Sequence, residues 1–151
     1  MAQQQLLAGM KDAEPRFHEI YERCRVYTMT SVERLYALYK SVEYIVSAKV
    51  PGDVVEVGVW RGGSCMLIAE TLLALGDSSR RIFLCDTFAG HPRPDADKDV
   101  DLWGNRAIDD WHRHVGEDNH GNWGYVSIDE VRENLRRTGY PADKLEFVQG
   151  S

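Results

Sequence analysis

The chain has 151 residues, 43% of them hydrophobic and 28% charged, and a net charge of −6. That is the length of one ordinary domain, able to bury about 70% of the surface its unfolded form exposes, with the composition of a soluble globular protein. A negative balance with no Lys/Arg stripe excludes a nucleic-acid backbone or an anionic membrane as the main partner.

The opening "MAQQQLLAGMKDAEPR" lacks a basic stretch followed by an apolar core, so it is not read as a secretory signal. No apolar run approaches the roughly 18–20 residues of a membrane span. Cys24, Cys65 and Cys85 are widely separated, and none belongs to a CxxC pair. They are expected to be buried, reduced thiols in a cytoplasmic protein, not zinc ligands.

Residues 1–12 read as a frayed terminus. "EPRFHEIYERCR" (14–25) predicts a short helix with Pro15 in its first turn. In "TSVERLYALYKSVEYIVSA" (30–48), Val32, Leu35, Tyr36, Tyr39, Val42, Ile45 and Val46 recur at helical spacing. Thr30 and Glu33 have capping-box spacing there, and Pro51-Gly52 closes the segment. "DVVEVGV" (53–59) is apolar apart from Glu56, which predicts a strand buried on both faces. A helix from about Ser64 to Leu75 follows, with Gly76 placed to end it.

"RIFLCDTF" (81–88) predicts a second buried strand, and "KLEFVQGS" (144–151) a third. Before the third strand, Ser127 and Glu130 form a capping box for a helix from Ile128 to Arg137, stopped by Gly139 and Pro141. Strand–helix–strand–helix–strand alternation predicts an α/β fold, a parallel sheet forming one mononucleotide-binding half of a doubly wound domain. The organisation expected is an N-terminal helical segment at 1–49 and a partial Rossmann-like cofactor-binding domain at 50–151.

Ligands of such folds bind where strands turn into helices at their carboxyl ends. The turn "GVWRGGS" (58–64) lies at one of these ends. A dinucleotide fingerprint needs a bare second glycine, and here that position is Trp60, which disfavours a nicotinamide or flavin dinucleotide. No GK[ST] follows, so the P-loop pattern fails too. A nucleoside with an amino-acid tail, such as S-adenosylmethionine, has no pyrophosphate to accommodate. It needs close approach at Gly58, a helix start at Gly62-Gly63-Ser64 for its carboxylate, and an acid for its ammonium. Glu56 supplies an acid, and Asp86, ending the second strand, is placed to accept ribose hydroxyls. Each acid also has a bland reading, Glu56 as a cap on a backbone amide and Asp86 as a turn-former.

With those residues in hand, the chain resembles the macrocin O-methyltransferase family. The carrying stretches are "YTMTSVERLYAL", "VPGDVVEVGVWRGGSCMLIAETL", "IFLCDTFAGHPRPD" and "SIDEVRENLRRTGYPADKLEFVQGS". The resemblance implies a Rossmann-like, S-adenosylmethionine-dependent O-methyltransferase that acts, with Mg²⁺, on a sugar hydroxyl of a bacterial natural product. It places Glu56, Gly58 and Ser64 at the methionine side of the cofactor, Asp86 at the ribose, and Gly150 and Ser151 beside the adenine. Thr28, Met29 and Thr30 would belong to a segment folding over the cofactor. The family continues past this length, with strands that carry its Mg²⁺ ligands and general base. The sequence therefore reads as the N-terminal, cofactor-binding portion, its metal ligands absent and its catalytic residues unassigned. In the family's strand order the first strand would be left as an exposed apolar edge. A homo-oligomer is compatible with this reading. The alternative is a truncated, inactive copy acting as a cofactor-binding or interaction module.

The long connection 89–126 is polar but rich in Trp and His, and is expected to be functional. "NRAIDDWHRHV" (105–115) predicts a short helix within it. Asp95, Asp97, Asp99 and Asp101 alternate, yet Val100 and Arg106 stand where a calcium loop needs Gly and Glu. His112, His114, Asp118 and His120 make too weak a pattern to assign a metal. Trp103, Trp111 and Trp123 are the candidate acceptor contacts, since aromatic faces among polar groups suit a sugar ring.

Overall fold

The computed structural model describes residues 12–90, 93–114 and 124–150. Its elements, in chain order, are α1 (Pro15–Cys24), α2 (Val32–Ser47), β1 (Val54–Val57), α3 (Gly63–Ala74), β2 (Ile82–Asp86), α4 (Ala107–His114), α5 (Ile128–Arg136) and β3 (Leu145–Gln149). Two short 3₁₀ turns, Arg25–Tyr27 and Ala142–Lys144, follow α1 and precede β3. The three strands form one parallel sheet in the order β1-β2-β3, with Val54 opposite Ile82 and Ile82 opposite Leu145. Asp118, His120, Trp123 and Ser151 lie outside the described residues.

The layers follow from which faces are apolar. α3 is apolar on all sides, as a helix enclosed by protein must be, and Cys65 through Leu72 are buried. One side of α3 covers the sheet face that carries Ile82 and Leu84. Its other side receives α1 and α2 through Phe17, Ile20, Leu35 and Tyr39, which belong to the same core cluster. The N-terminal helical segment and the strand-containing part therefore share one core. The one charge on this buried helix, Glu70, pairs with Arg23 of α1.

Two expectations are corrected. β1 is covered on one face only: Val55 is 61% and Val57 83% exposed, because Val55, Val57, Cys85 and Val148 share the sheet face that no described helix crosses. The N-cap of α2 is Ser31, not Thr30. The Thr30 amide is instead bonded to Thr28 Oγ1 at 3.0 Å, which keeps Thr30 in the preceding segment. The other helix ends agree with their signals. Ser127 Oγ accepts from the Glu130 amide at 3.2 Å, and Gly76 ends α3 with φ +76°.

Candidate functional site at the carboxyl ends of the strands

Three hydrogen bonds gather the predicted residues at one end of the sheet. The Gly58 amide donates to Cys85 O at 2.9 Å, the Gly150 amide to Asp86 O at 3.1 Å, and Gln149 Nε2 to Thr87 O at 3.0 Å. Gly58, Asp86 and Gly150 thus stand side by side at the carboxyl ends of neighbouring strands. Glu56, on the covered face of β1, points at the start of α3. Its Oε2 accepts from Cys65 Sγ at 2.6 Å.

The glycines of the turn divide into two kinds. Gly58 has φ +85°, and a Cβ added there would meet nothing within 4 Å. Open space therefore lies where a ligand must approach the backbone, and the same holds at Gly150. Gly62 and Gly63 are bare for packing instead. A Cβ on Gly62 would stand 2.8 Å from Leu135 Cδ2, and one on Gly63 2.6 Å from the carbonyl carbon of Tyr27. The helix start expected to receive a carboxylate at these two glycines is covered there by α5 and by the 27–28 backbone. Ser64, in the first turn of α3, is half-buried.

Asp86 organises the turn. Its Oδ2 accepts from the amides of Val59 (2.6 Å) and Trp60 (3.2 Å), and its Oδ1 from the Phe88 amide (3.0 Å) and Thr87 Oγ1 (3.3 Å). Trp60 and Phe88 both have φ +49°, a left-handed conformation that costs a non-glycine residue about 1–2 kcal/mol. Both are held there with their amides aimed at this one carboxylate, the kind of strain that collects at functional sites. Burial alone would raise the carboxyl's pKa, but these donors outweigh it and hold it below the usual carboxylate value.

Glu56 shifts the other way. Burial pushes its carboxyl above the ordinary range, against the lowering effect of bonds from Cys65 and Ser64 and with the Asp86 charge adding to the rise. Burial also pushes the Cys65 thiol well up, so it stays a protonated donor to Glu56. Among the described residues, neither Glu56 nor Asp86 takes part in an ion pair with Lys or Arg. Glu56 is therefore a half-buried acid with no Lys or Arg ion-pair partner among the described residues, two positions before the open approach at Gly58, and complementary to a ligand cation.

The 26–30 segment lies against this turn, with Thr28 and Thr30 half-buried and Met29 70% exposed. Of the candidate tryptophans, Trp103 and Trp111 lie among the described residues, and they differ in setting. Trp103 is 83% exposed at a loop tip pinned by Asp101, which accepts from the amides of Trp103 and Asn105. Trp111 is buried, its ring beside Arg93 and His112. His112 is exposed on α4. No group of three or more His, Cys, Asp or Glu among the described residues could hold a metal ion.

Three features of the site escaped sequence reasoning. They are the Cys65 thiol on Glu56, the left-handed pair at Trp60 and Phe88, and the packing role of Gly62 and Gly63. The spacing of the turn carries no signal for the first two. The third was half visible, since two adjacent glycines opening a buried helix also signal close approach of another chain segment.

Comparison with known proteins is consistent with this geometry. The family model for macrocin O-methyltransferase (TylF) matches residues 9–151. The 8-demethyl-8-(2,3-dimethoxy-alpha-L-rhamnosyl)-tetracenomycin-C 4'-O-methyltransferase of Streptomyces olivaceus is 35% identical over 94% of this chain, which spans 51% of that protein. The mycinamicin III 3''-O-methyltransferase of Micromonospora griseorubida is 32% identical over 82% of this chain and 46% of its own length. Among solved structures, the O-methyltransferase NovP superposes with a TM-score of 0.64 at 31% identity, over 82% of this chain and 47% of NovP. The chain thus spans about half the length of the relatives it matches.

Proposed function

The chain belongs to the macrocin O-methyltransferase family, and from that membership we propose that it supplies the S-adenosylmethionine-binding part of an enzyme methylating a sugar hydroxyl of a natural product. The observation that carries the cofactor assignment is the pairing of Glu56, an acid without a cationic partner among the described residues, with the open approach over Gly58. The acceptor class rests on the names of the relatives, which act on a rhamnosyl-tetracenomycin and on mycinamicin III.

Bound S-adenosylmethionine would supply an electrophilic methyl group for the acceptor oxygen. In this reading Glu56 accepts from the ammonium of the methionine moiety, where a charge-assisted bond is strong because the carboxylate is partly desolvated. Gly58 and Gly150 keep the backbone bare where the nucleoside lies, and Ser64 and the 28–30 segment close the methionine side. Asp86 fixes the shape of the turn. An ionised carboxylate has about four acceptor sites; three backbone amides take three of them, and the Thr87 hydroxyl, whose single proton has a shorter partner in Gly90 O at 2.9 Å, leaves the fourth to a ribose hydroxyl. Trp103 and the remainder of the 89–126 connection belong to the acceptor side. The described residues offer no ligand set for Mg²⁺, and none of them is assigned as the general base.

Calorimetric titration of the chain with S-adenosylhomocysteine tests this reading. Saturable one-to-one binding is expected. Absence of binding at millimolar ligand overturns it and leaves the second reading, an interaction module, which the uncovered face at Val55 and Val57 favours.

A further inference from the structure

Resting on that reading, we propose that Arg61 and Gly63 are positioning residues that seat the 26–30 segment against the glycine turn and thereby shape the cofactor site. Arg61 is the hub of a cluster that joins three separate parts of the chain. Its Nη1 donates to Val26 O at 3.3 Å and its Nε to Glu130 Oε1 of α5 at 2.8 Å. Its guanidinium lies 5.3 Å from the Tyr27 ring and 5.8 Å from the Trp60 ring. Arg137 approaches the same Tyr27 ring at 5.9 Å and donates to its hydroxyl at 2.7 Å. The Arg61 backbone is fixed as well, since Asn134 Nδ2, on a buried residue of α5, donates to Arg61 O at 3.1 Å.

Gly63 completes the seat from beneath. The carbonyl carbon and oxygen of Tyr27 would lie 2.6 and 2.7 Å from a Cβ at Gly63, and Thr28 Cβ 2.7 Å. Backbone therefore rests directly on backbone at the first residue of α3. A single exposed ion pair contributes little, but one planar guanidinium shared by a carbonyl, a carboxylate and two rings fixes an orientation. With the segment seated in advance, ligand binding need not order it, and that ordering otherwise weakens affinity. The Arg61 side chain is engaged by Val26, Glu130 and the two rings, not by Glu56 or Asp86. Its effect on the cofactor therefore runs through the segment. Because α5 directly follows the long connection, the same guanidinium also anchors the exit of the proposed acceptor region.

The test uses the whole chain with two independent variants, Arg61→Met and Gly63→Ala. Three quantities are measured: S-adenosylhomocysteine affinity by calorimetry, amide hydrogen exchange over residues 24–31, and thermal unfolding. Arg61→Met keeps an apolar stem beside Tyr27 but no donors, and Gly63→Ala lifts the segment while favouring helix. Each is expected to speed exchange over 24–31 and to weaken binding about tenfold, on the order of the cost of ordering one short segment. Arg61→Lys, which keeps charge but not the fork, is expected to fall between. Faster exchange with affinity held within about twofold overturns the link to the cofactor, and unchanged exchange in Arg61→Met overturns the clamp itself. A parent chain that binds no S-adenosylhomocysteine overturns the proposed function and this link with it. That failure is distinguishable because exchange in the ligand-free variants reads the clamp on its own.

Discussion

Glu56 sits at odds with stability in a way that points to use. Its carboxyl is half-buried beside Cys65, its pKa is raised chiefly by burial, and no described cation neutralises it. Because the folded-state value lies above the unfolded one, the folded chain holds this proton to higher pH. Stability then falls as pH rises from the ordinary glutamate value of about 4.3 through the raised folded value. Glu56→Gln keeps an acceptor for the thiol and removes the charge. It is expected to be at least as stable as the parent at pH 7, with the difference in Tm closing below about pH 4, as thermal unfolding at both pH values will show. The same variant is expected to bind S-adenosylhomocysteine about 10–100-fold more weakly, the loss of a charge-assisted bond. Lower stability together with unchanged affinity would remove Glu56 from the site. Asp86 behaves oppositely. Its folded pKa is lowered, so its contribution is present at neutral pH and is lost as pH falls below the usual aspartate range. Asp86→Asn is expected to set its NH₂ group either against both amides on Oδ2, those of Val59 and Trp60, or against the Phe88 amide on Oδ1. A lowered Tm at pH 7, converging with the parent in acid, is the outcome that supports this role.

At the scale of elements, α3 and α5 illustrate two sources of helix stability. α3 is held by enclosure: nine of its residues are buried, and propensity matters little in such a setting. α5 has one apolar stripe, Val131 and Leu135, and depends on its ends. Ser127→Ala removes the side-chain acceptor for the Glu130 amide and is expected to lower stability by about 1 kcal/mol in denaturant titration. Because Val131 and Leu135 pack on Gly62, fraying of α5 should also loosen the glycine turn. A Ser127→Ala effect on ligand affinity as well as on stability would show that coupling. The connections follow a different logic. Arg80 donates to Asp77, to Gly52 O and to Val50 O, tying the entry of β1 to the exit of α3. Tyr140 Oη adds a bond to Arg80 O at 2.8 Å.

Across the whole molecule, all described helices that pack on the sheet lie on one side. Val55, Val57 and Val148 are left exposed on the other, the first two on β1, an edge strand without a second partner among the described residues. An apolar strand edge with an open face recruits other chains. The chain is expected to associate in a concentration-dependent manner by light scattering, and Val57→Lys to suppress it, since a charge on an edge strand opposes pairing. Monomeric behaviour of the parent at high concentration would show that this face does not pair with a second copy of the chain. The expectation of an exposed first strand follows from strand order alone, and the observed order β1-β2-β3 agrees with it.

What the sequence determined by itself was most of what is local or periodic. The 3.6-residue recurrence in α2, the Ser127–Glu130 box, Gly76 after α3, the three strands and the glycine turn with its two acids all follow from side-chain type and short spacing. Family membership follows from the same stretches. What only the tertiary structure decided is how distant segments share space. "DVVEVGV" has the apolar run of a strand buried on two faces, but burial depends on which helices arrive, and here they cover one face. One local choice was also left to the structure: Thr30 and Ser31 are equally good caps by chemistry, and with the Thr30 amide bonded to the Thr28 hydroxyl two residues back, Ser31 is the cap. Gly58 and Gly63 are indistinguishable as letters. One faces open space and the other carries the backbone of Tyr27, because a glycine's purpose is set by whatever approaches its missing side chain, and that neighbour lies far away in the chain.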